Sequence, residues 1–438
     1  MAKIAFVGAG SLGFTRRLVV DILLREELAD ATLSLIDIDA ERLAYAEAAV
    51  RKIVAAGSFP AKVEATTDRA IGLKDADIVI ITILVDGPDG IRAEIEIPMK
   101  YGVDFNVGDS YGTAAVFRTL RTLPAILDIC RDVERHAPDA YVLNYTNPMS
   151  MLSRGARRAT SVKFIGLCHS VQGMGRYLGS IIGASPDEIV CECAGINHQA
   201  WALRFERNGR DAYPALMKAL EHPDVFAKDP VRNEMCLALG YYPTESSRHN
   251  SEYNWWFRKR PDLIEQYFKI GGEWSEGRHG IVLSRYRREQ WEREMKAYAS
   301  GDIKVNLSRS EEYAADIVRA LLFGGNVKFN ATVANDGLIT NLPDQCSVEV
   351  PVLADRAGVS PIRVGELPPQ CAALNYVNTA VVELAVEGAL NSDPTAVYRA
   401  CCFDPLAAAT CSLPEIKRMV GELFEAQAPF LPAFRHRT

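Results

Sequence analysis

No CxxC pair occurs in this chain, although ten cysteines are scattered along its 438 residues. Disulfide frameworks belong to short secreted domains, so these thiols are expected to be reduced and the protein cytoplasmic. No apolar run reaches the roughly 20 residues that span a bilayer, so no membrane partner is expected. The opening MAKIAFVGAG is too short and glycine-rich for a signal peptide. Positive charge is in short supply: 49 Lys and Arg stand against 56 Asp and Glu, a net −7. A nucleic-acid partner is therefore not expected, because phosphate binding needs a concentrated basic surface. Heptads, repeats and low-complexity segments are missing too. What is present is 48% apolar residues, enough for a large core. The length suits two domains.

The first third alternates strand and helix. Lys3–Val7 is apolar and runs into Gly8, a helical pattern follows from about Gly13 to Arg25, and Thr32–Ile36 ends at Asp37. Asp77–Leu84 is a continuous apolar run of the kind a parallel strand covered on both faces shows. Ala140–Leu143 and Lys163–Leu167 predict two more strands. The fold class is α/β: a Rossmann-type doubly wound parallel sheet over residues 1–170, then an α+β substrate and oligomerisation domain over 171–438. In such sheets ligands lie beyond the carboxyl ends of the strands, so Gly8, Asp37, Asn144–Pro148 and Cys168–His169 should meet in one crevice. Later, Ile189–Ala194 and Ala200–Glu206 alternate, Asn208–Gly209 signals a hairpin, and helices are expected near 230–240 and 280–299. Residues 243–279 look like long loops, a β-rich stretch spans 327–364, and two or three helices close the chain.

Gly8-Ala9-Gly10-Ser11-Leu12-Gly13 lies between a strand and a helix. The first glycine allows the turn, the second a close approach to a pyrophosphate, and the third close helix–strand packing. The helix N-terminus offers free N–H groups to the phosphates. Asp37, 24 residues after Gly13, can accept the ribose hydroxyls and repel the extra phosphate of NADP. NAD is the cofactor this arrangement fits, with Asn144 also facing the crevice. A tight glycine turn without a ligand is the plainer alternative. Cys168–His169 and Asn197-His198 form a second cluster. Cys168 and His198 could hold a divalent ion, or be a buried thiol and a hydrogen-bonded imidazole. Third, Thr244-Glu245-Ser246-Ser247-Arg248-His249, with Glu252, Tyr253, Trp255 and Trp256, mixes acid, base and aromatic groups suited to sugar binding and proton transfer. A solvated loop anchored by two tryptophans would have the same composition. His136, His222, His279 and His436 are isolated and read as structural or surface groups.

Several gapped segments in one order resemble glycoside hydrolase family 4, the NAD- and metal-dependent glycosidases. They are GAGS at 8–11, FRTLRTLP with Arg118 and Arg121, LNYTNPM at 143–149, GLCHSVQG at 166–173, AGINH at 194–198, GYYPTESSRH at 240–249 and NDGLITNLPDQCSVEV at 335–350. The CHSVQG and TESS segments are most similar to the α-galactosidase (melibiase) branch, which also includes uronide-cleaving members. The resemblance implies a reaction unlike that of two flanking carboxylates. Hydride leaves C3 of the sugar for NAD, a base removes the acidified C2 proton, the aglycone is eliminated from C1, water adds, and the hydride returns. It places Mn²⁺ or another divalent cation on Cys168 and His198, polarising the C2 and C3 oxygens, and sugar hydroxyls on Asn147. His169 stands where the phospho-sugar branch has a catalytic aspartate. The base is implied to lie between residues 245 and 253, with His249 and Glu245 leading and Tyr253 next.

The chain departs from the pattern in three places. Gly108-Asp109-Ser110-Tyr111-Gly112-Thr113-Ala114-Ala115 replaces a GPGG-type turn, which should change the pocket wall around Asp109. Arg92 is present where the melibiase branch lacks it, and Arg248 replaces a glutamate. An arginine fork suits a carboxylate or sulfonate, so a small α-linked hexoside carrying an anionic group, such as a uronide or sulfoquinovoside, is expected over a neutral galactoside. For each arginine a surface salt bridge is the alternative. An ordinary NAD-dependent dehydrogenase of the lactate or malate type would share the fold, as would a protein that merely senses NAD. A homo-oligomer, dimer or tetramer, is expected.

Overall fold

A computed structural model of the chain describes residues 1–268, 288–300 and 304–434. Six parallel strands open the chain: β1 (Lys3–Val7), β2 (Thr32–Ile36), β3 (Lys62–Thr66), β4 (Ile78–Ile81), β5 (Tyr141–Asn144) and β6 (Lys163–Gly166). They lie side by side as β3-β2-β1-β4-β5-β6, with the order reversing at β1. Side chains alternate between the sheet's two faces. Ile4, Phe6, Ile78 and Ile80 pack with the helices Leu12–Leu23 and Ala40–Ala56. Ala5, Val7, Val79 and Ile81 pack with Gly112–His136 and Met149–Ala159. Burial on both faces is why the central strand β4 is apolar at every position.

The sheet then continues in antiparallel fashion through β7 (Ile189–Ile196), β8 (Gln199–Arg207), β9 (Arg210–Asp211), β10 (Tyr242–Pro243), β11 (Val327–Ala334), β12 (Ser347–Asp355) and β13 (Gly358–Pro361). β11 meets β6 at Thr332 and Gly166, β12 meets β7 at Glu349 and Gly195, and β7 turns into β8 through Asn197 and His198. That hairpin tip comes up beside the carboxyl end of β6, where Cys168 follows. The Asn208–Gly209 turn is present, with both residues at positive φ, as a tight two-residue hairpin requires.

Several expectations need correction. The 25-residue helix Gly112–His136 and the helix Gly87–Lys100 occupy segments that the strand–helix alternation left unassigned, and β3 is a half-exposed edge strand with no apolar run to announce it. Residues 243–268 are not simply loop: they contain β10 and the helices Ser247–Glu252 and Pro261–Tyr267. The helix near 280–299 is described only as Arg288–Ser300; residues 269–279 and His279, like His436, lie outside the described residues. Among the described residues four α-helices, not two or three, follow β13: Pro369–Asn391, Pro394–Cys402, Pro405–Thr410 and Leu413–Gln427. Among the described residues no helix is long and apolar enough to cross a membrane.

Candidate active site

The glycine turn after β1 faces the crevice at the reversal of strand order. Gly8 has φ +86, and a Cβ there would lie 2.4 Å from the Thr82 carbonyl oxygen. A Cβ on Gly10 would come within 2.7 Å of Asp37 Oδ2. Gly10 N–H instead donates to that oxygen at 2.8 Å, and Asp39 N–H donates to Oδ1 at 3.0 Å, which fixes the carboxylate at the end of β2. The helix that starts at Leu12 behind Ser11 has neither a side-chain cap nor an acidic residue in its first turn, so its positive end is open to an anion. Gly13 does not fill the role expected of it. Its surroundings are open, with only Arg17 Nη2 near, 3.8 Å from where a Cβ would be. Close helix–strand packing therefore does not explain it.

Next to this crevice five segments converge. Cys168 Sγ lies 3.1 Å from His198 Nε2, and Glu245 Oε2 lies 3.6 Å from the same nitrogen. His249 Nδ1 is 3.1 Å from Glu245 Oε1, and its Nε2 is 3.5 Å from Asp109 Oδ1. Asn147 Nδ2 donates to Asp109 Oδ2 at 3.2 Å. Ser110 Oγ is 2.6 Å from His198 Nδ1, and the Tyr253 hydroxyl is 3.4 Å from it. The Tyr313 hydroxyl donates to the Cys168 carbonyl at 2.8 Å, so the turn after β6 is anchored from below. His198 and Glu245 both adopt positive φ, 62° and 68°. Non-glycine residues enter that region at a cost and cluster at sites where a side chain must be aimed.

The charges of this cluster follow from burial and pairing. Burial alone would push Asp109 and Glu245 up, but His249 and His198 beside them hold both carboxyls below the usual range. Burial opposes the charge on His249, yet Glu245 and Asp109 on either side raise it well above the ordinary imidazole value. Against burial, Cys168 and Glu245 raise His198 as well. Burial raises the Tyr253 phenol far above its ordinary value, so it is held neutral. Glu349 on β12 is fully buried, and burial pushes it up to about 8. Glu252 is likewise pushed up by burial to about 7, with Arg258 and His249 pulling the other way.

Two overlapping donor sets are close enough for a cation. Cys168, His198 and Glu245 form one, and Asp109, His198 and His249 the other, with ligand atoms within 4.8 Å of one another in each. The first supplies a thiol, an imidazole and a carboxylate, a set that suits a borderline divalent ion. In the second, His249 already has carboxylates at both ring nitrogens, an arrangement that favours a proton over a metal.

Of the residues expected at the site, Asp109, Asn147, Cys168, His198, Glu245, His249 and Tyr253 come together. Gly8, Gly10, Ser11, Leu12 and Asp37 form the glycine-turn side of the crevice. Asn144 is fully buried and uses its side chain on the Thr146 backbone, with its Nδ2 2.9 Å from the carbonyl. Arg248 is half-buried on the helix that carries His249. Two residues stand apart. The His169 side chain is 61% exposed, with its Nδ1 3.9 Å from Glu312 Oε1. Arg92 is exposed on its helix, with no hydrogen bond, ion pair or ring contact to the cluster among the described residues. The altered 113–115 positions do not form the pocket wall. Thr113 N–H and Oγ1 both donate to Asp404, and Ala114 and Ala115 are in the core. Ser110, Tyr313 and Glu349 were missed. Glu349 had left a sign, as an acid flanked by valines inside an apolar strand.

Residues 3–184 match the family model described as family 4 glycosyl hydrolase, and residues 193–407 match the model of its C-terminal domain. An alpha-galactosidase of Bacillus subtilis (strain 168) is 37% identical, covering 99% of this chain and 100% of its own length. An alpha-galacturonidase of Thermoanaerobacterium saccharolyticum is 28% identical over 99% of this chain and 97% of its own. The crystal structure of a 6-phospho-alpha-glucosidase from gut microorganisms, in complex with NAD and Mn²⁺, superposes with a TM-score of 0.82 at 18% identity, over 98% of this chain and 99% of that one.

Proposed function

The chain belongs to the family 4 glycosyl hydrolases, and from that premise we propose that it cleaves an α-linked hexoside with NAD on the Gly8–Gly13 turn and Mn²⁺ at Cys168 and His198. One observation carries this reading: a thiol, two imidazoles and two carboxylates meet beside a glycine turn shaped for a pyrophosphate. An ordinary hydroxy-acid dehydrogenase has no need of the thiol–imidazole pair, and family membership sets that alternative aside. We keep a division near residue 170 between the cofactor-binding and substrate domains, a cytoplasmic location, and a dimer or tetramer as the working assembly.

Bound NAD would supply reversible hydride acceptance at C3, and bound Mn²⁺ would polarise the C2 and C3 oxygens. The protein's part is to orient the sugar and move protons. Asn147 and Asp109 offer a donor and an acceptor to hydroxyls. Glu245 and His249, an ionised carboxylate and a charged imidazole 3.1 Å apart, hold both a proton acceptor and a donor for the C2 position. Tyr253 stays neutral as a hydrogen-bond donor. For His169, which stands apart from the cluster, the proposed role is at the leaving group rather than at C2.

For the substrate we propose an anionic hexoside, a uronide or sulfonate. With Arg92 exposed, this rests on Arg248, which is half-buried one residue from His249, and it is supported by the alpha-galacturonidase relative. The identity to an alpha-galactosidase favours a neutral galactoside instead. Matched neutral and anionic aryl α-glycosides, assayed with NAD and Mn²⁺, separate the two. A charge-assisted pair between the Arg248 guanidinium and the anionic group predicts about tenfold or greater preference for the anion, reduced in Arg248→Met. A wild type that prefers the neutral glycoside, with a ratio unchanged by the substitution, replaces the anionic reading with the melibiase one.

A further inference from the structure

Glu252 ends the helix Ser247–Glu252 that carries His249, and it is 1% exposed. Its carboxylate receives three consecutive backbone N–H groups from a distant segment. Asn106 and Val107 donate to Oε1, and Gly108 donates to Oε2 at 2.8 Å. The next residue in that segment is Asp109, which meets His249 on its other side. A few residues further on, the buried Arg258 holds the start of the same segment, its Nη2 bonded to Asp104 Oδ1 at 2.6 Å. Two side chains from one stretch, 252 and 258, thus grip residues 104–108. Gly108 needs its positive φ of 63° to present its N–H here, and a Cβ there would lie 3.0 Å from both Ala114 and Ile95.

We propose that Glu252 is a positioning residue: its carboxylate clasps the 106–108 backbone and so sets the distance between Asp109 and His249. Three N–H groups aimed at one buried carboxylate form an anion nest within the protein, far more directional than a single side-chain contact. An amide cannot replace it, since its NH₂ would face one of the three donors. The consequence for turnover rests on the proposed function; the clasp itself does not.

The experiment has two arms. Hydrogen–deuterium exchange, read on peptides covering 104–112, tests the clasp without substrate: Glu252→Gln should make the 106–108 amides exchange faster while peptides elsewhere in the sheet are unchanged. Steady-state assay at about pH 8 on an aryl α-galactoside and its uronide, with NAD and Mn²⁺, tests the consequence. A misplacement of Asp109 on the ångström scale predicts a kcat about 10- to 100-fold lower, with binding of Mn²⁺ and NAD unchanged. If Glu252→Gln fails to fold, Glu252→Asp, ionised but one methylene short, takes both tests. Unchanged exchange at 106–108 overturns the clasp. Faster exchange with wild-type kcat overturns its role in positioning. Wild-type protein inactive on every glycoside counts against the functional reading alone, and the exchange arm still decides the clasp.

Discussion

Single residues divide into those whose chemistry is visible in the sequence and those whose partner is far along the chain. Cys168 and His198 are 30 positions apart yet 3.1 Å from each other. Removing the thiolate should remove the ion: Cys168→Ser is expected to lose Mn²⁺ binding by calorimetry and keep its melting temperature in the presence of chelator. Metal binding equal to wild type would move the site elsewhere. Asp37→Ala should weaken NAD by about 1.5–3 kcal/mol, the usual size for a hydrogen bond to a charged group, and narrow the preference over NADP. Equal binding of the two nucleotides by the wild type would remove Asp37 from the ribose. Glu349 gives a pH signature. Its carboxyl rises from an ordinary 4.5 to about 8 in the fold, because burial outweighs the bond from Asn197 at 3.2 Å. The folded state therefore holds this proton more tightly than the unfolded chain. Its contribution is fully present below about 4.5 and is lost as pH rises through about 8. Metal-free Glu349→Gln should gain stability relative to wild type as pH rises over that range. A wild-type-minus-variant difference that does not change with pH contradicts the assignment.

At the scale of elements, the glycine turn shows what spacing can and cannot tell. GxGxxG between strand and helix located the turn, and Gly8 and Gly10 are needed where they stand, against Thr82 and Asp37. The third glycine matched the pattern without the packing. Gly8→Ala should cost about 2–4 kcal/mol, from left-handed strain and a clash with backbone. Gly13→Ala should leave thermal stability of the ligand-free protein unchanged or raise it by up to about 1 kcal/mol, as alanine does in a helix. Comparable losses in both would mean that Gly13 is packed after all. Five of the six parallel strands were legible because burial on both faces makes them mostly apolar, β4 at every position. β3, at the edge, lacks that demand and gave no signal. The helix Gly112–His136 was hidden because its first four residues, GTAA, resembled a rearranged loop, and its first half is buried, polar residues included, so no solvent-facing stripe marks it. Asp109 was expected at the pocket wall, but its pairing with His249 was not legible, because it depends on the 106–108 backbone being held by Glu252, about 145 residues away.

For the whole molecule, the parallel half presents the glycine turn, Asn147 and Cys168 at the carboxyl edge, and the antiparallel half delivers His198, Glu245 and His249 to the same edge. Neither half holds a complete site, since the thiol comes from one and the imidazoles from the other. We propose that this shared site moves a proton at C2 of the sugar during net hydrolysis. Hydrolysis of an aryl α-glycoside in D₂O, followed by NMR of the released sugar, tests it most directly. One deuterium is expected at C2 of the product, with no accumulation of free NADH. A product without label at C2 would contradict it and point to direct displacement at C1.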